Sequence, residues 1–204
     1  MNIYIRQMTI SIQHKILFIH IPKNAGSSIR KALRDTDRFF SNFNHLSLEQ
    51  YKEYLHPVFL ELLFKFAVVR NPWDRAVSLY YYNQSEPFAV SDPERYAIIK
   101  EMNFQEFLEY SGKNLHQFNW MEVDGNLDSI DYIGRFEELG EVVKVIEDVS
   151  QTKIEFQHYN STYHPPYQDM YNNYTRQIVA QKCEEDIDTF KYVFDPSGSR
   201  VLLL

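Results

Sequence analysis

The chain has 204 residues, 44% hydrophobic and 24% charged, a composition that fits one globular domain burying its core without staples. Its 21 Lys and Arg against 28 Asp and Glu leave a net charge of −7, which excludes a protein that coats nucleic acid but leaves room for a small basic pocket. The single cysteine, Cys183, excludes an internal disulfide and points to a reducing compartment. No apolar leader opens the sequence and no stretch reaches the ~20 apolar residues of a membrane span, so the expectation is a cytoplasmic chain without stable membrane insertion.

In chain order, residues 1–13 alternate apolar and polar side chains and predict an edge strand or hairpin. Residues 15–21 form a near-continuous apolar run, as in a central parallel strand, and Pro22 stops it. From about Gly26 the pattern turns helical, with Ile29, Ala32 and Leu33 on one side and Arg30, Lys31 and Arg34 on a solvated face. Residues 38–44 read as a second strand that ends at His45. Ser47 and Gln50 form a capping box that opens a helix toward Tyr54, and Pro57 breaks it ahead of a short helix over 58–64. A third strand covers 66–69. Asn71 then caps a helix with Pro72 at its first position and Asp74 in its first turn.

That helix runs through Tyr80, Tyr81 and Tyr82. Residues 83–100 look like an insertion or lid-like segment, Phe104, Phe107 and Leu108 have helical spacing, and 111–129 read as loop. A fourth strand at 131–136 leads into a helix over 137–149, Ile154 and Phe156 suit a short strand, and 158–171 read as loop. A last helix runs from Thr175 to Phe190 and carries Cys183 as a buried small residue. Repeated strand–helix alternation predicts an α/β fold, a mainly parallel central sheet flanked by helices, as one domain over 1–204. Its core lies at about 15–194, and 83–130 form an insertion.

Two strand ends carry chemistry, and ligands of open parallel sheets bind beyond the carboxyl ends of the strands. The first offers Lys23, then backbone N–H groups and hydroxyls across Asn24, Ala25, Gly26, Ser27 and Ser28 at the start of a helix, where an anion is stabilised. The second offers Arg70 and, about two helical turns on, Ser78. Together they describe a site for two separated anionic groups. The first is not the G-x-x-x-x-G-K-[ST] loop of nucleoside-triphosphate kinases, because Lys23 precedes Gly26 and no upstream glycine replaces the missing one. Of the seven histidines, His45 shares the sheet edge of both motifs. His20 reads as a satisfied core histidine, and His14, His56 and His116 belong to no motif. No H-x-x-H, C-x-x-C or acidic cluster suggests a metal site.

The pair of motifs resembles the sulfotransferase superfamily that uses 3′-phosphoadenylyl sulfate (PAPS). Pro22-Lys23-Asn24-Ala25-Gly26-Ser27-Ser28 is similar to its 5′-phosphosulfate loop, and Arg70 through Ser78 to its 3′-phosphate motif. Tyr132–Glu137 and Asp186–Tyr192 extend the likeness, which is greatest to the carbohydrate branch that includes heparan 2-O-sulfotransferases and many small bacterial enzymes. The resemblance implies a three-layer fold related to P-loop NTPases and a metal-independent transfer of a sulfuryl group from PAPS to a hydroxyl, or less readily an amine, of a small-molecule or glycan acceptor. It gives Lys23 the leaving oxygen, residues 24–28 the 5′-phosphate, Arg70 and Ser78 the 3′-phosphate, and His45 the role of catalytic base. The loop at 158–171 lies where related enzymes close over the nucleotide; there His164 either approaches the phosphate or acceptor or belongs to a polar surface loop. Arg75 and Arg135 also match family positions and are expected in structural ion pairs. Two other readings remain: a nucleotide-binding module without transfer, and a divergent P-loop kinase.

Overall fold

The computed structural model describes residues 9–37, 45–156 and 164–195. It divides into two compact units, Met1–Arg70 with Gln117–Asn160, and Asn71–His116 with Ser161–Leu204. The expected strand over 38–44 and the stretch 157–163 of the late loop lie outside the described residues.

The first unit is built on a four-stranded sheet: β1 (Ile10–Ser11), β2 (Ile16–Ile19), β3 (Phe64–Val69) and β4 (Tyr132–Arg135), in that spatial order. β1 runs antiparallel to β2, while β2–β3 and β3–β4 are parallel, with Phe18 opposite Phe66 and Val68 opposite Gly134. All of β2 is buried, as a continuous apolar strand must be. Helices α1 (Gly26–Thr36) and α8 (Leu139–Ser150) cover one face. There Ile29, Ala32 and Leu33 of α1 and Leu139, Val142 and Ile146 of α8 close over Ile16, Phe18, Phe66 and Val68. Gly134 lets α8 approach, since a Cβ there would stand 2.4 Å from Val142 Cγ2. Leu17, Ile19, Ala67 and Val69, which alternate to the other face, are also buried. An α/β architecture with a mixed, mainly parallel sheet is therefore the observed fold.

Local chemistry sets most element ends. Ser47 and Gln50 make the capping box of α2 (Leu48–Tyr54). The next helix, α3, is shorter than expected, Pro57–Glu61, because the chain turns into β3 at Phe64, whose N–H donates to the Lys15 carbonyl at 2.7 Å. No strand forms at Ile154 and Phe156. The Ile154 N–H donates to the Glu147 carboxylate at 2.9 Å, and Ile154 joins the core below α8.

In the second unit α4 (Pro72–Asn83) starts at Asn71, whose side chain accepts from the Trp73 N–H. Short helices α5 (Glu86–Ser91) and α6 (Pro93–Ile99) occupy the expected insertion, followed by α7 (Phe104–Tyr110) with its own capping box. The expected last helix is two, α9 (Asn173–Lys182) and α10 (Glu184–Phe190), broken at Cys183. Three acidic residues, Glu184, Glu185 and Asp186, fill the first turn of α10 and suit the positive end of a fresh helix. Cys183 is buried, and burial pushes its thiol up to about 12, which leaves it inert as a nucleophile.

Candidate active site

β2 and β3 are parallel neighbours, so the loops that follow them leave the same edge of the sheet. The loop after β2 is unusual. Lys23 and Ala25 both have left-handed backbones, φ 70° and 60°, although neither is glycine. Such a conformation is disfavoured by roughly 1–2 kcal/mol per residue and persists only where surroundings hold it. Ala25 is also the N-cap of α1. It supplies no side-chain cap, and no acidic residue sits in the first turn. Helix geometry gives the N–H groups of Gly26 and Ser27 no i−4 partner within α1 and puts the positive end of the dipole there, while the Ser28 N–H donates to the Ala25 carbonyl at 3.0 Å. By contrast α2, α4, α7 and α9 each have a side-chain acceptor at that position.

Asn24, between the two left-handed residues, is fully buried. Its Nδ2 donates to the Val68 carbonyl and to Gln117 Oε1, both at 2.7 Å. The side chain is thus turned inward as a strut, and the loop faces outward with Lys23, Ser27 and backbone. Ser28 is buried beneath them.

Arg70, the last residue of the first unit before the chain passes to α4, is 7% exposed. Its guanidinium carbon stands 4.0 Å from the centre of the Phe136 ring, and Nη1 donates to the Lys23 carbonyl at 3.0 Å. One arginine therefore reaches from the end of β3 to the loop after β2. Lys23 and Arg70, read separately from the sequence, meet in space.

Gly26 is required by a close approach. A Cβ on it would lie 1.7 Å from His20 Nε2 and 1.8 Å from His20 Cδ2. The His20 ring is packed between Phe18, 5.5 Å away and stacked, and His45, 4.2 Å away. It is buried as expected but not satisfied: Nδ1 has no hydrogen-bond partner. Burial first, then the fields of His45 and Arg30, holds its pKa well below the ordinary imidazole value. Below the unfolded pKa of about 6.5 the unfolded chain binds a proton that the folded chain refuses. The stability contributed by neutral His20 is therefore complete above that value and is lost as pH falls below it. Between pH 7 and 5 the wild type should lose stability faster than His20→Phe, by up to about 1.4 kcal/mol per pH unit, measured by denaturant unfolding at each pH.

His45 is exposed, and its Nδ1 lies 2.9 Å from the His20 carbonyl. A carbonyl only accepts, so Nδ1 carries the hydrogen. The neutral ring then has Nε2 as its proton-accepting nitrogen. Half-buried Trp120 sets its ring edge-on to His45, centroids 6.1 Å apart. Gly26→Ala would drive its methyl into His20 and so disturb His45. We expect a loss of about 1–3 kcal/mol of stability, partly restored when His20→Ala is added, both read from denaturant midpoints.

The remaining sequence candidates belong to the second unit. Ser78 is 3% exposed on α4. Arg75, 1% exposed, donates from Nη1 to the Leu115 carbonyl at 2.8 Å. His164 stacks on Tyr81 with centroids 6.0 Å apart, and its Nδ1 lies 2.8 Å from the Pro165 carbonyl. Tyr80 and Tyr82 pack against Phe104, Phe107 and Phe88. Among the described residues no group of three or more His, Cys, Asp or Glu has the arrangement of a metal site, and no helix is long and apolar enough to cross a membrane.

A family model described as "Sulfotransferase family" matches residues 6–193. The chain belongs to the sulfotransferase family. Members of this family are PAPS-dependent enzymes, so the cradle at Lys23–Ser28 and the arginine that meets it lie in a sulfotransferase. No curated protein and no solved structure matches the chain.

Proposed function

We propose that this sulfotransferase moves a sulfuryl group from PAPS to a hydroxyl of a carbohydrate-like acceptor, with Lys23 and His45 as its catalytic residues. The observation that carries the reading is the joint placement of an uncapped helix N-terminus, Lys23 and Arg70 at one sheet edge, with His45 fixed by the His20 carbonyl. In the proposed reaction the acceptor oxygen attacks sulfur in line. The bond from sulfur to the bridging phosphate oxygen breaks, and adenosine 3′,5′-bisphosphate leaves. His45 Nε2 takes the hydroxyl proton as the oxygen–sulfur bond forms. Negative charge grows on the bridging oxygen, where the Lys23 ammonium, a compact charge on a flexible stem, follows it. Backbone N–H groups and hydroxyls over Asn24, Ala25, Gly26, Ser27 and Ser28 hold the 5′-phosphate. Arg70 is assigned to the 3′-phosphate, and Ser78 joins it on the strength of the sequence motif alone.

Support for a sugar-like acceptor comes from Trp120, an indole beside the base that suits the apolar face of a saccharide ring. The net charge of −7 favours a neutral or weakly charged acceptor over a long polyanion. Placement in the carbohydrate branch rests on the motif context. The test is a thermal shift with adenosine 3′,5′-bisphosphate, followed by sulfate transfer from PAPS to a panel of saccharides, lipid-linked sugars and other small hydroxyl compounds. A shift and transfer to a saccharide are expected. A shift with no transfer across the panel favours a nucleotide-binding module, and a larger shift with ATP and magnesium favours a kinase.

A further inference from the structure

Gln117 lies in the stretch without sequence periodicity, just before a single turn of 3-10 helix at Phe118–Trp120, and is fully buried. Its amide bonds to the end of β3 and to the loop after β2. Oε1 accepts from the Arg70 N–H at 2.9 Å and from Asn24 Nδ2 at 2.7 Å. Nε2 donates to the Arg70 carbonyl at 2.8 Å. The side chain thus pairs with both backbone groups of Arg70 as a further strand residue would, prolonging the ladder one step past the end of β3. Through Asn24 it also grips the loop whose neighbours Lys23 and Ala25 are left-handed. Asn24 closes the ring by donating to the Val68 carbonyl, two residues before Arg70.

We propose that Gln117 is a positioning residue that locks the loop after β2 and the end of β3 into one register, so that the two ends of the sulfuryl donor are bound as a unit. This rests on the assignment of Lys23–Ser28 and Arg70 to the two phosphate groups. Two features make the register matter. The donor's 5′ and 3′ groups are joined by one ribose of fixed span, so misplacing either site weakens the two-ended ligand and not a one-ended one. And the side-chain link from the Arg70 guanidinium to the loop, Nη1 to the Lys23 carbonyl, is at the partly exposed rim. The fully buried amide beneath it is better shielded from competition with water.

The consequence separates this role from ordinary core packing. A packing residue alters stability but leaves the ratio of affinities for two related ligands unchanged. A register residue alters the ratio. The experiment measures, by calorimetry on the folded full-length chain, the affinities for adenosine 3′,5′-bisphosphate and for adenosine 5′-monophosphate, in wild type, Gln117→Met and Gln117→Glu. Methionine keeps the approximate shape without the hydrogen bonds. Glutamate keeps the acceptor toward Asn24 Nδ2 and the Arg70 N–H but sets a second acceptor against the Arg70 carbonyl, an independent way to break the same link. In Gln117→Met the preference for the bisphosphate should fall about tenfold or more, the equivalent of one lost hydrogen bond, with a comparable fall in Gln117→Glu. An unchanged preference in either folded variant overturns the proposal. A wild type with no preference for the bisphosphate instead overturns the donor assignment on which it rests.

Discussion

Replacing His45 with alanine is expected to lower turnover by about 10²–10⁴-fold, the range for removal of a general base, while the affinity for adenosine 3′,5′-bisphosphate stays within about twofold of wild type. The separation follows from where the residue sits. His45 is exposed, its Nδ1 is anchored on the His20 carbonyl, and it stands outside the loop Lys23–Ser28. On the proposed assignment, removing it takes away the proton acceptor and leaves the loop and arginine assigned to the donor's phosphates standing. The Nδ1–H bond to a carbonyl also predicts the consequence of glutamine at this position: an amide can donate to His20 but cannot take up a proton at neutral pH, so His45→Gln should be as slow as His45→Ala. The check is single-turnover kinetics beside equilibrium binding. A variant that retained most of its turnover would place the base elsewhere.

Lys23→Ala is the second large effect, with turnover falling about 10²–10³-fold, as for loss of one preorganised charge at a developing anion. Donor binding should fall much less, because in the proposed reaction the ammonium's contact strengthens as the bridging oxygen gains charge. The backbone contribution survives: alanine keeps the carbonyl that accepts from Arg70 Nη1, and a non-glycine residue already tolerates φ 70° at this site. Lys23→Arg should recover only part of the rate, since a planar guanidinium follows a single oxygen less well than a compact ammonium. Comparable losses in turnover and in donor affinity for Lys23→Ala would instead mean that the lysine binds ground state and transition state alike.

What could be read from the sequence was what is local. Continuous apolar runs marked β2 and β3 because strands buried on both faces need them, and caps at Ser47 and Asn71 marked helix starts because a side chain satisfies an orphan N–H within three residues. The order of Lys23, Gly26, Arg70 and Ser78 carried the family. Tertiary relations were invisible. Gln117 is a polar residue in an aperiodic stretch, and nothing near it announces that its amide completes the end of β3. Ile154 and Phe156 alternate like a strand, yet a carboxylate of α8 captures the Ile154 N–H. Gly26 read as a generic small residue of a phosphate loop, whereas its missing Cβ makes room for the His20 ring. His20 read as satisfied, but its buried Nδ1 has no hydrogen-bond partner, and burial lowers its pKa, neither of which a spacing rule reports.

The most direct test of the central claim, that Lys23–Ser28 and Arg70 hold the two phosphate groups of a sulfuryl donor, is calorimetric titration of wild type and Arg70→Ala with adenosine 3′,5′-bisphosphate and with ATP plus magnesium. Wild type is expected to bind the bisphosphate at least about tenfold more tightly than ATP, and Arg70→Ala to remove most of that difference, by loss of a charge-assisted contact to phosphate. Tighter binding of ATP with magnesium, or a bisphosphate affinity untouched by Arg70→Ala, would contradict it.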